Sequence, residues 1–290
     1  MIVVVDYAKV DYDDHDPPPN WDAFQAACVA AGSRASVAIM RGAYGIDPDP
    51  TVKRDWWAAK GKGFTTGAYL FLRPAYRVVD QIHAYYAAVG DLRVDDLPPI
   101  LDLEGTWPSP AIELAALVEA SDEMARLYGT SPMIYDSARI WREDLPGLVP
   151  PDRIKDCPQW VAKPWPWEPR TQARLSPGPF VNGKYDPPVP PAWGPGNWWI
   201  HQYQGDALPT AGFPGTVDLS RFHLMVEGER GERVRWVQRR LGIEQTGEFD
   251  VSMVSKIRSF QSQHGLVTDA IIGPRTFAVI CWTHSNASPR

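Results

Sequence analysis

The chain has 290 residues, 44% hydrophobic and 22% charged, a composition that predicts a folded protein with a buried core and excludes a disordered one. Its net charge of −6 divides into −8 for residues 1–226 and +2 for residues 227–290, so the larger part lacks the basic surface that nucleic-acid binding requires. Apolar runs fall far short of the roughly 18 residues of a membrane span, and residues 1–6 lack a signal-peptide pattern. We therefore expect no nucleic-acid partner, no membrane insertion and no ordinary secretion.

Short apolar runs rich in β-branched residues predict eight strands, each ending in or near a polar or aromatic residue. They are Ile2–Asp6, Val37–Arg41, Gly67–Arg73, Pro99–Glu104, Pro132–Asp136, Gln159–Ala162, Trp198–Tyr203 and Thr216–Asp218. Helical periodicity between the early strands predicts helices over 20–32, 51–60, 76–89 and 110–128. Strands that alternate with helices indicate a parallel barrel or an open α/β sheet. The ten prolines of residues 164–196 exclude a regular crossover helix there, so we predict an irregular (β/α)8-like barrel.

The pattern changes after Phe222. Apolar residues at helical spacing predict three short helices over 230–241, 251–264 and 274–282, with a polar tail behind them. About 60 residues suffice for a small helical unit. We therefore expect a barrel domain over residues 1–224 and a small all-α domain over residues 225–290.

Two acids at the end of the fourth predicted strand are the strongest sign of chemistry. A single leucine separates Asp102 from Glu104, so both carboxylates project from one face of the strand. Two carboxyl groups in one pocket, one protonated and one ionised, are what acid and base catalysis on a glycosidic bond needs. A solvated strand end would show the same pair, and this alternative stays open.

Other predicted strands also end in charged residues. In a closed barrel, Asp6 and Asp218 would converge with the first two acids at the end where barrel enzymes have their active sites. Four carboxylates repel one another, and the strand-end residues Arg41 and Arg73 are candidates to compensate that charge. For each arginine, a structural ion pair is as good an interpretation as a substrate contact.

The remaining composition narrows the possible ligands. Thirteen tryptophans, eleven of them before residue 226, favour either sugar rings stacked on aromatic side chains or an aromatic core. The six histidines lack metal-ligand spacing, and the three cysteines are an odd number without a CxxC pair. There is no GxSxG motif and no glycine-rich phosphate loop. We predict no metal, no cofactor and reduced cysteines.

Several segments of residues 1–222 match a known family in their residues, their order along the chain and their spacing. They are Val5-Asp6, Gly67–Pro74, Pro99–Glu104, Pro132–Tyr135, Trp160–Ala162, Trp199–Tyr203 and Val217–Phe222. Together they resemble the family-25 glycoside hydrolases, the Chalaropsis-type lysozymes or muramidases. The resemblance implies cleavage of the β-1,4 bond from N-acetylmuramic acid to N-acetylglucosamine in peptidoglycan, with retention of configuration. Either an aspartate or the 2-acetamido group of the substrate would make the attack.

The same resemblance implies roles for individual residues. Glu104 would be the general acid, and the other acids of the site would be Asp102, Asp6 and Asp218. The sugar cleft would be lined by Tyr69, Tyr135, Trp160 and Gln202, with Arg41 and Arg73 as candidate substrate contacts. The sequence departs from the family pattern after Asp6, where Tyr7-Ala8-Lys9 and an acidic stretch over 11–16 follow, and at Arg41, where the family often has lysine.

A second resemblance covers the C-terminal segment. It rests on Val234, Val237, Gln238 and Leu241, on Gly247–Asp250, on Phe260-Gln261 with Gly265-Leu266, and on Ile272–Thr276. These residues resemble the three-helix peptidoglycan-binding domain, which implies a wall peptide or neighbouring glycan as the ligand. Asp269-Ala270 replaces the Asp-Gly that this family favours. A small helical domain of another function is the alternative.

The function that these features predict is peptidoglycan hydrolysis by a muramidase whose small domain holds it on the wall. The combination resembles phage endolysins, which implies the host cytoplasm before lysis and the cell wall afterwards, with peptidoglycan as the partner and no obligate protein partner. Two alternatives remain. One is a catalytically inactive peptidoglycan-binding protein, and the other is a glycosidase that acts on another N-acetylated glycan such as chitin.

Overall fold

The computed structural model describes residues 1–8, 17–137, 139–162, 193 and 196–283. The acidic stretch over 11–16, most of the proline-rich segment 164–196 and the end of the polar tail therefore lie outside the described residues. The strands are β1 (Ile2–Tyr7), β2 (Arg34–Tyr44), β3 (Asp47–Pro48), β4 (Thr65–Phe71), β5 (Ile100–Asp102), β6 (Met133–Ser137), β7 (Gln159–Ala162), β8 (Ile200–Pro209) and β9 (Thr216–Phe222). No helix among these residues is long and apolar enough to cross a membrane.

Eight of these strands form a closed barrel. The strand order is β1-β9-β8-β7-β6-β5-β4-β2, and β1 pairs with β2 to close it, while the two-residue β3 extends β2 as a hairpin. The barrel strands pair in parallel except for β9, which is antiparallel to both of its neighbours. Each of the eight predicted strands corresponds to a barrel strand, so the predicted irregular barrel is confirmed.

The direction of β9 corrects one part of the prediction. The sequence predicts this strand over Thr216–Asp218, whereas β9 begins at Thr216 and continues to Phe222. Only six residues connect β8 to β9, too few for the crossover that a parallel connection needs, so the chain turns back as a hairpin. Asp218 therefore lies near the beginning of its strand, and the antiparallel direction brings that beginning to the carboxyl ends of the parallel strands.

Helices α1 (Trp21–Ala30), α2 (Val52–Gly61), α3 (Val78–Val89), α4 (Pro110–Tyr128) and the short α5 (Asp152–Lys155) connect the barrel strands, and a π-helical turn covers Ile140–Asp144. Helix α4 has the predicted boundaries. The Ser109 hydroxyl accepts a hydrogen bond from the Ile112 N–H at 3.4 Å, and Gly129 ends the helix at φ 75°, a backbone conformation that glycine adopts without a steric penalty. Apolar residues on the outer face of the barrel pack against these helices.

Three helices form the C-terminal domain, as predicted: α6 (Glu232–Arg240), α7 (Val251–Gln263) and α8 (Pro274–Trp282). Asp250 caps α7 by accepting a hydrogen bond from the Met253 N–H at 2.9 Å. Gln261 fixes the turn before α8, since its Oε1 accepts from the Ala270 N–H at 2.9 Å and its Nε2 donates to Asp269 at 3.0 Å. Within the described residues, Ala270 is the one non-glycine residue with a positive φ, 64°. The turn therefore keeps the backbone conformation that suits glycine although alanine occupies it.

The C-terminal domain packs against the barrel through a shared apolar core. Phe277 of α8 contacts Trp199 with ring centroids 4.3 Å apart, and it also packs on Phe222 and Trp236. Side chains from the barrel interior and from all three C-terminal helices belong to the same buried cluster. The indole N–H of Trp282 adds a hydrogen bond to the Asp96 carbonyl at 2.9 Å. Because the two share this buried core, the C-terminal domain and the barrel form one folded unit.

Truncation of the shared core tests this arrangement. We expect Phe277→Ala to reduce the free energy of unfolding of the whole chain by about 3–5 kcal/mol, because it leaves a cavity between two domains. Urea unfolding followed by tryptophan fluorescence measures this effect. Val251→Ala, an exposed apolar truncation in the same domain, is the control and should change it by less than about 0.5 kcal/mol. A barrel transition that stays in place in Phe277→Ala would contradict the shared core.

The positive φ of Ala270 gives a second test. We expect Ala270→Gly to stabilise the chain by about 1 kcal/mol, because glycine removes the steric cost of a left-handed backbone. Ala115→Gly, at an exposed position inside α4, should instead destabilise it by about 1 kcal/mol. Thermal unfolding of both variants and of the parent chain measures these opposite changes in stability. A loss of stability in Ala270→Gly would refute the strain at this turn.

Candidate active site

A cavity of about 540 Å³ opens at the end of the barrel where the parallel strands finish. Its lining residues are Asp6, Ala8, Arg41, Tyr44, Tyr69, Phe71, Asp102, Glu104, Tyr135, Trp160, Gln202 and Asp218. All four predicted acids are among them, as are four predicted cleft residues and one of the two predicted arginines. The structure therefore brings together every candidate site residue except Arg73.

The barrel strands determine which side chains reach the cavity. Asp6 on β1 lies directly opposite Asp218 on β9 in the antiparallel pair, so the two carboxylates come from neighbouring strands at one level. Asp102 is the last residue of β5, and Glu104 lies just beyond the strand rather than on it. Because side chains alternate along each strand, residues two apart share the interior face. Barrel closure thus collects acids from three distant parts of the chain.

Gln202 connects the acids at the floor of the cavity. Its Nε2 donates hydrogen bonds to Asp218 Oδ2 at 2.9 Å and to Asp6 Oδ1 at 3.5 Å. Its Oε1 accepts a hydrogen bond from the Tyr135 hydroxyl at 2.7 Å, which fixes the direction in which the amide points. Tyr135 in turn packs on Trp160, with ring centroids 4.5 Å apart. A neutral amide therefore holds two carboxylates side by side without adding charge.

Asp102 and Glu104 have different surroundings. Asp102 is buried, and its Oδ1 accepts a hydrogen bond from the Glu104 N–H at 3.2 Å. Burial and then the negative charge of Glu104 raise the pKa of Asp102 well above its usual range, while this hydrogen bond and the charge of Arg41 act in the opposite direction. The Glu104 side chain is exposed to the cavity. Neighbouring carboxyls in unlike environments are a common arrangement for dividing acid and base roles.

The two arginines differ in position. Arg41 lines the cavity and forms an ion pair with Asp49 at 3.3 Å, so it is a structural partner and also a positive charge near the acids. Arg73 is not among the residues that line this cavity, and its role as a substrate contact stays a prediction. Strand β4 ends at Phe71, and the Arg73 guanidinium lies over the ring of Tyr44, which lines the cavity, and over the ring of Tyr76, at 4.6 and 5.3 Å from their centroids.

Three lining residues, Ala8, Tyr44 and Phe71, are not among the site residues that the sequence predicts. Strand β2 extends three residues past its predicted end, and its pairing with β4 shifts between Arg41 and Ala43. Such a bulge changes which side chains face the interior, so Arg41 and Tyr44 both reach the cavity although simple alternation would separate them. The aromatic residues at the strand ends were the available signal, since Tyr44 and Phe71 both occupy such positions.

Behind the cavity wall lies a buried acid, Asp136, that was not among the candidate site residues. It follows Tyr135 on β6, so its side chain projects from the opposite face of the strand. Its Oδ2 accepts a hydrogen bond from the Trp141 indole N–H. Burial raises the pKa of Asp136 to about 8, with the Trp141 hydrogen bond opposing the rise and the charge of Glu104 adding to it. Asp136 is therefore largely neutral near pH 7.

The raised pKa of Asp136 predicts a pH dependence of stability. Because the native pKa exceeds the unfolded value of about 3.9, the native state loses stability as pH rises between these values, by on the order of 4 kcal/mol from pH 4 to pH 7. Asp136→Asn keeps an acceptor for Trp141 but does not ionise, so we expect a flatter stability profile over this range. Urea unfolding at a series of pH values measures it, with the exposed Asp80→Asn as control. Equal slopes in Asp136→Asn and the parent chain would contradict the assignment.

Among the described residues, no group of three or more His, Cys, Asp or Glu side chains is placed to hold a metal ion. The three cysteines are buried and free, and burial raises the pKa of the Cys28 thiol to about 11. The polar groups that line the cavity are four carboxyl groups, the Gln202 amide, the Arg41 guanidinium and tyrosine hydroxyls.

Comparison with known proteins identifies the barrel. Residues 10–209 match the family described as glycosyl hydrolases family 25. The chain belongs to this family. Residues 230–280 match the putative peptidoglycan binding domain, in agreement with helices α6 to α8. This family-25 protein is therefore a glycoside hydrolase, and its two matches together support a peptidoglycan hydrolase.

Solved structures share the fold at low sequence identity. A bacterial lysozyme from Streptomyces coelicolor is 20% identical with a TM-score of 0.58, over 77% of this chain and 92% of that one. A family 25 glycosyl hydrolase from Bacillus anthracis is 17% identical with a TM-score of 0.55, over 77% and 89%. The CTP1L endolysin is 15% identical with a TM-score of 0.53, over 77% and 67%. No match was found among curated protein sequences.

Proposed function

We propose that this family-25 hydrolase cleaves the β-1,4 bond from N-acetylmuramic acid to N-acetylglucosamine in peptidoglycan, with Glu104 as the general acid and with retention of configuration. The observation that carries the proposal is the convergence of four carboxyl groups from β1, β5, β9 and the residues after β5 in one cavity with aromatic walls. Sugar rings present apolar faces to aromatic side chains and hydroxyls to carboxylates.

Access to the cavity favours Glu104 over Asp102 as the proton donor. The Glu104 side chain is exposed at the cavity, whereas Asp102 also lines the cavity but is buried. A bound glycan would exclude water from Glu104 and favour its neutral form, as a general acid requires. The proton of Glu104 would pass to the glycosidic oxygen as the bond to the anomeric carbon breaks. Water would later supply a hydroxyl to that carbon and return a proton to Glu104.

Asp6 and Asp218 would stabilise the positive charge that develops at the anomeric carbon. Asp6 and Asp218 are held side by side by Gln202, so their negative charge is oriented before substrate arrives. Attack by one of the aspartates and attack by the 2-acetamido group of the substrate both retain configuration. Both use Glu104 in the same two proton transfers.

The C-terminal domain supports peptidoglycan over other N-acetylated glycans. We place the barrel domain over residues 1–224 and the binding domain over residues 225–290, and we propose that the second keeps the first on an insoluble wall. An enzyme of this kind would act as endolysins do, from the host cytoplasm before lysis and on the cell wall afterwards. Neither nucleic acid nor a further protein partner has a part in the proposed reaction.

Replacement of the acid tests the proposal. We expect Glu104→Gln to reduce the rate of peptidoglycan digestion by about 10²–10⁴-fold while binding to the wall stays close to that of the parent chain, because the amide cannot donate a proton. Mass spectrometry of reduced fragments counts new muramic acid ends, and proton NMR at early times reports the anomer formed. The exposed Glu119→Gln on α4 is the control and should keep the parent rate.

Three outcomes would contradict parts of the proposal. Wall binding without new reducing ends from the parent chain would indicate a binding protein. New ends on N-acetylglucosamine, or faster digestion of chitin than of peptidoglycan, would assign a different bond. First release of the inverted anomer would exclude both routes to retention.

A further inference from the structure

Beside the candidate active site, an arginine lies against two tyrosine rings. The guanidinium carbon of Arg73 is 4.6 Å from the centroid of the Tyr44 ring and 5.3 Å from that of the Tyr76 ring. Tyr44 lines the active-site cavity and is 37% exposed. Contact between a guanidinium and an aromatic face is attractive and restrains a long side chain. The charge of Arg73 is therefore held next to the cavity wall, beyond the end of β4.

Hydrogen bonds from one buried side chain fix the backbone around this arginine. The Oε1 atom of the fully buried Gln81 accepts a hydrogen bond from the Arg73 N–H at 2.8 Å, and its Nε2 donates to the carbonyls of Arg73 at 2.9 Å and Tyr76 at 3.1 Å. The turn between β2 and β3 also packs on Arg73, since a Cβ atom at Gly45 would lie 3.0 Å from the Arg73 Cδ atom. The fold of the free chain thus sets the position of the guanidinium.

The half-buried Arg73 guanidinium has neither a hydrogen bond nor an ion pair with any described residue. Arg41, which lies over the same Tyr44 ring at 5.5 Å, is instead paired with Asp49 at 3.3 Å. Residues 1–226 carry a net charge of −8, yet none of their described carboxylates neutralises Arg73. The N–H donors of arginine form a planar fork that matches a carboxylate. Those of Arg73 are therefore available to a carboxylate of a ligand.

Of the two sugars in peptidoglycan, only muramic acid carries an acidic substituent. Its lactyl ether ends in a carboxylate or in a peptide with carboxylates of its own, whereas N-acetylglucosamine, and therefore chitin, has none. We propose that Arg73 binds a free carboxylate of this substituent when the glycan lies in the active-site cavity, and that it thereby makes the site specific for muramic acid. The inference rests on the proposed function and names the part of the substrate that gives specificity.

The position of Arg73 indicates an effect on substrate binding rather than on the chemical step. The four carboxyl groups of the proposed reaction line the cavity, whereas Arg73 contacts a residue of its wall from outside the lining. A contact that is equally strong in the bound substrate and in the transition state lowers KM and leaves kcat unchanged. Arg73 is therefore a specificity-determining residue and takes no part in proton transfer.

The test measures cleavage by the full chain of a synthetic octasaccharide in which N-acetylglucosamine and N-acetylmuramic acid alternate. One form bears an L-Ala-D-Glu dipeptide on each lactyl group, a second bears the same dipeptide with both carboxylates amidated, and a third has no peptide and keeps the lactyl carboxylates. We expect Arg73→Gln to raise KM about tenfold or more for a form with free carboxylates, because charge-assisted hydrogen bonds are lost, with kcat within about twofold of the parent value. For the amidated form, the substitution should leave KM unchanged.

Arg77→Gln, at an exposed position of the same segment, is the matched control and should keep the parent KM for all three forms. In the parent chain, KM for the amidated form should exceed that for at least one other form about tenfold, a comparison that needs no substitution.

The three forms also identify the carboxylate. A rise in KM confined to the dipeptide form assigns the peptide carboxylate to Arg73, and a rise confined to the peptide-free form assigns the lactyl carboxylate. Equal KM of Arg73→Gln and the parent chain for every form would overturn the inference and leave the proposed function in place, and so would an equal rise for the amidated form. No cleavage of any form by the parent chain would overturn the proposed function as well.

Discussion

The pairing of β1 with both β9 and β2 is the constraint on which the rest of this structure depends. It closes the barrel, and its register places the Asp6 carboxylate opposite that of Asp218. The same closure brings Asp102 and Glu104 to that end of the barrel. Neighbouring carboxylates repel one another, which destabilises a fold. This repulsion is offset by the Gln202 amide, by the Tyr135 hydroxyl bonded to that amide and by the nearby charge of Arg41. A single neutral hydrogen-bonding group, the Gln202 amide, thus keeps Asp6 and Asp218 oriented without adding charge.

The two ends of the barrel have opposite physical character. One end is acidic and open, and the other is closed by the aromatic packing of Phe277 on Trp199 and Phe222. A site that concentrates carboxylates reduces stability, so the stability of the whole must come from elsewhere in the molecule. The shared core beneath the barrel supplies buried apolar area for this purpose. It also explains why a small helical domain, which could bury little surface alone, is well formed here.

Much of the fold was predictable because its signals are local. Short apolar runs rich in β-branched residues located all eight barrel strands, and helical periodicity predicted α4 with its observed boundaries. Predictions that depended on contacts between residues far apart in the chain were less accurate. The direction of β9, which follows from its short connection to β8, was not predicted. The bulge in β2 that directs Tyr44 to the cavity has no sequence pattern of its own, because a bulge is decided by pairing with the next strand.

By itself, the sequence determined the order of strands and helices, the position of Asp102 and Glu104 two residues apart at the end of one strand region, and the change of pattern after Phe222. Each of these depends on residues close together in the chain. Only the tertiary structure decided that Asp6 and Asp218 are neighbours and that Asp102 is buried while Glu104 is exposed. The same holds for the position of the Arg73 guanidinium over the Tyr44 ring. Distances and desolvation are set by barrel closure and domain packing, which join residues as far apart in the chain as Ile2 and Phe222. No local pattern encodes them.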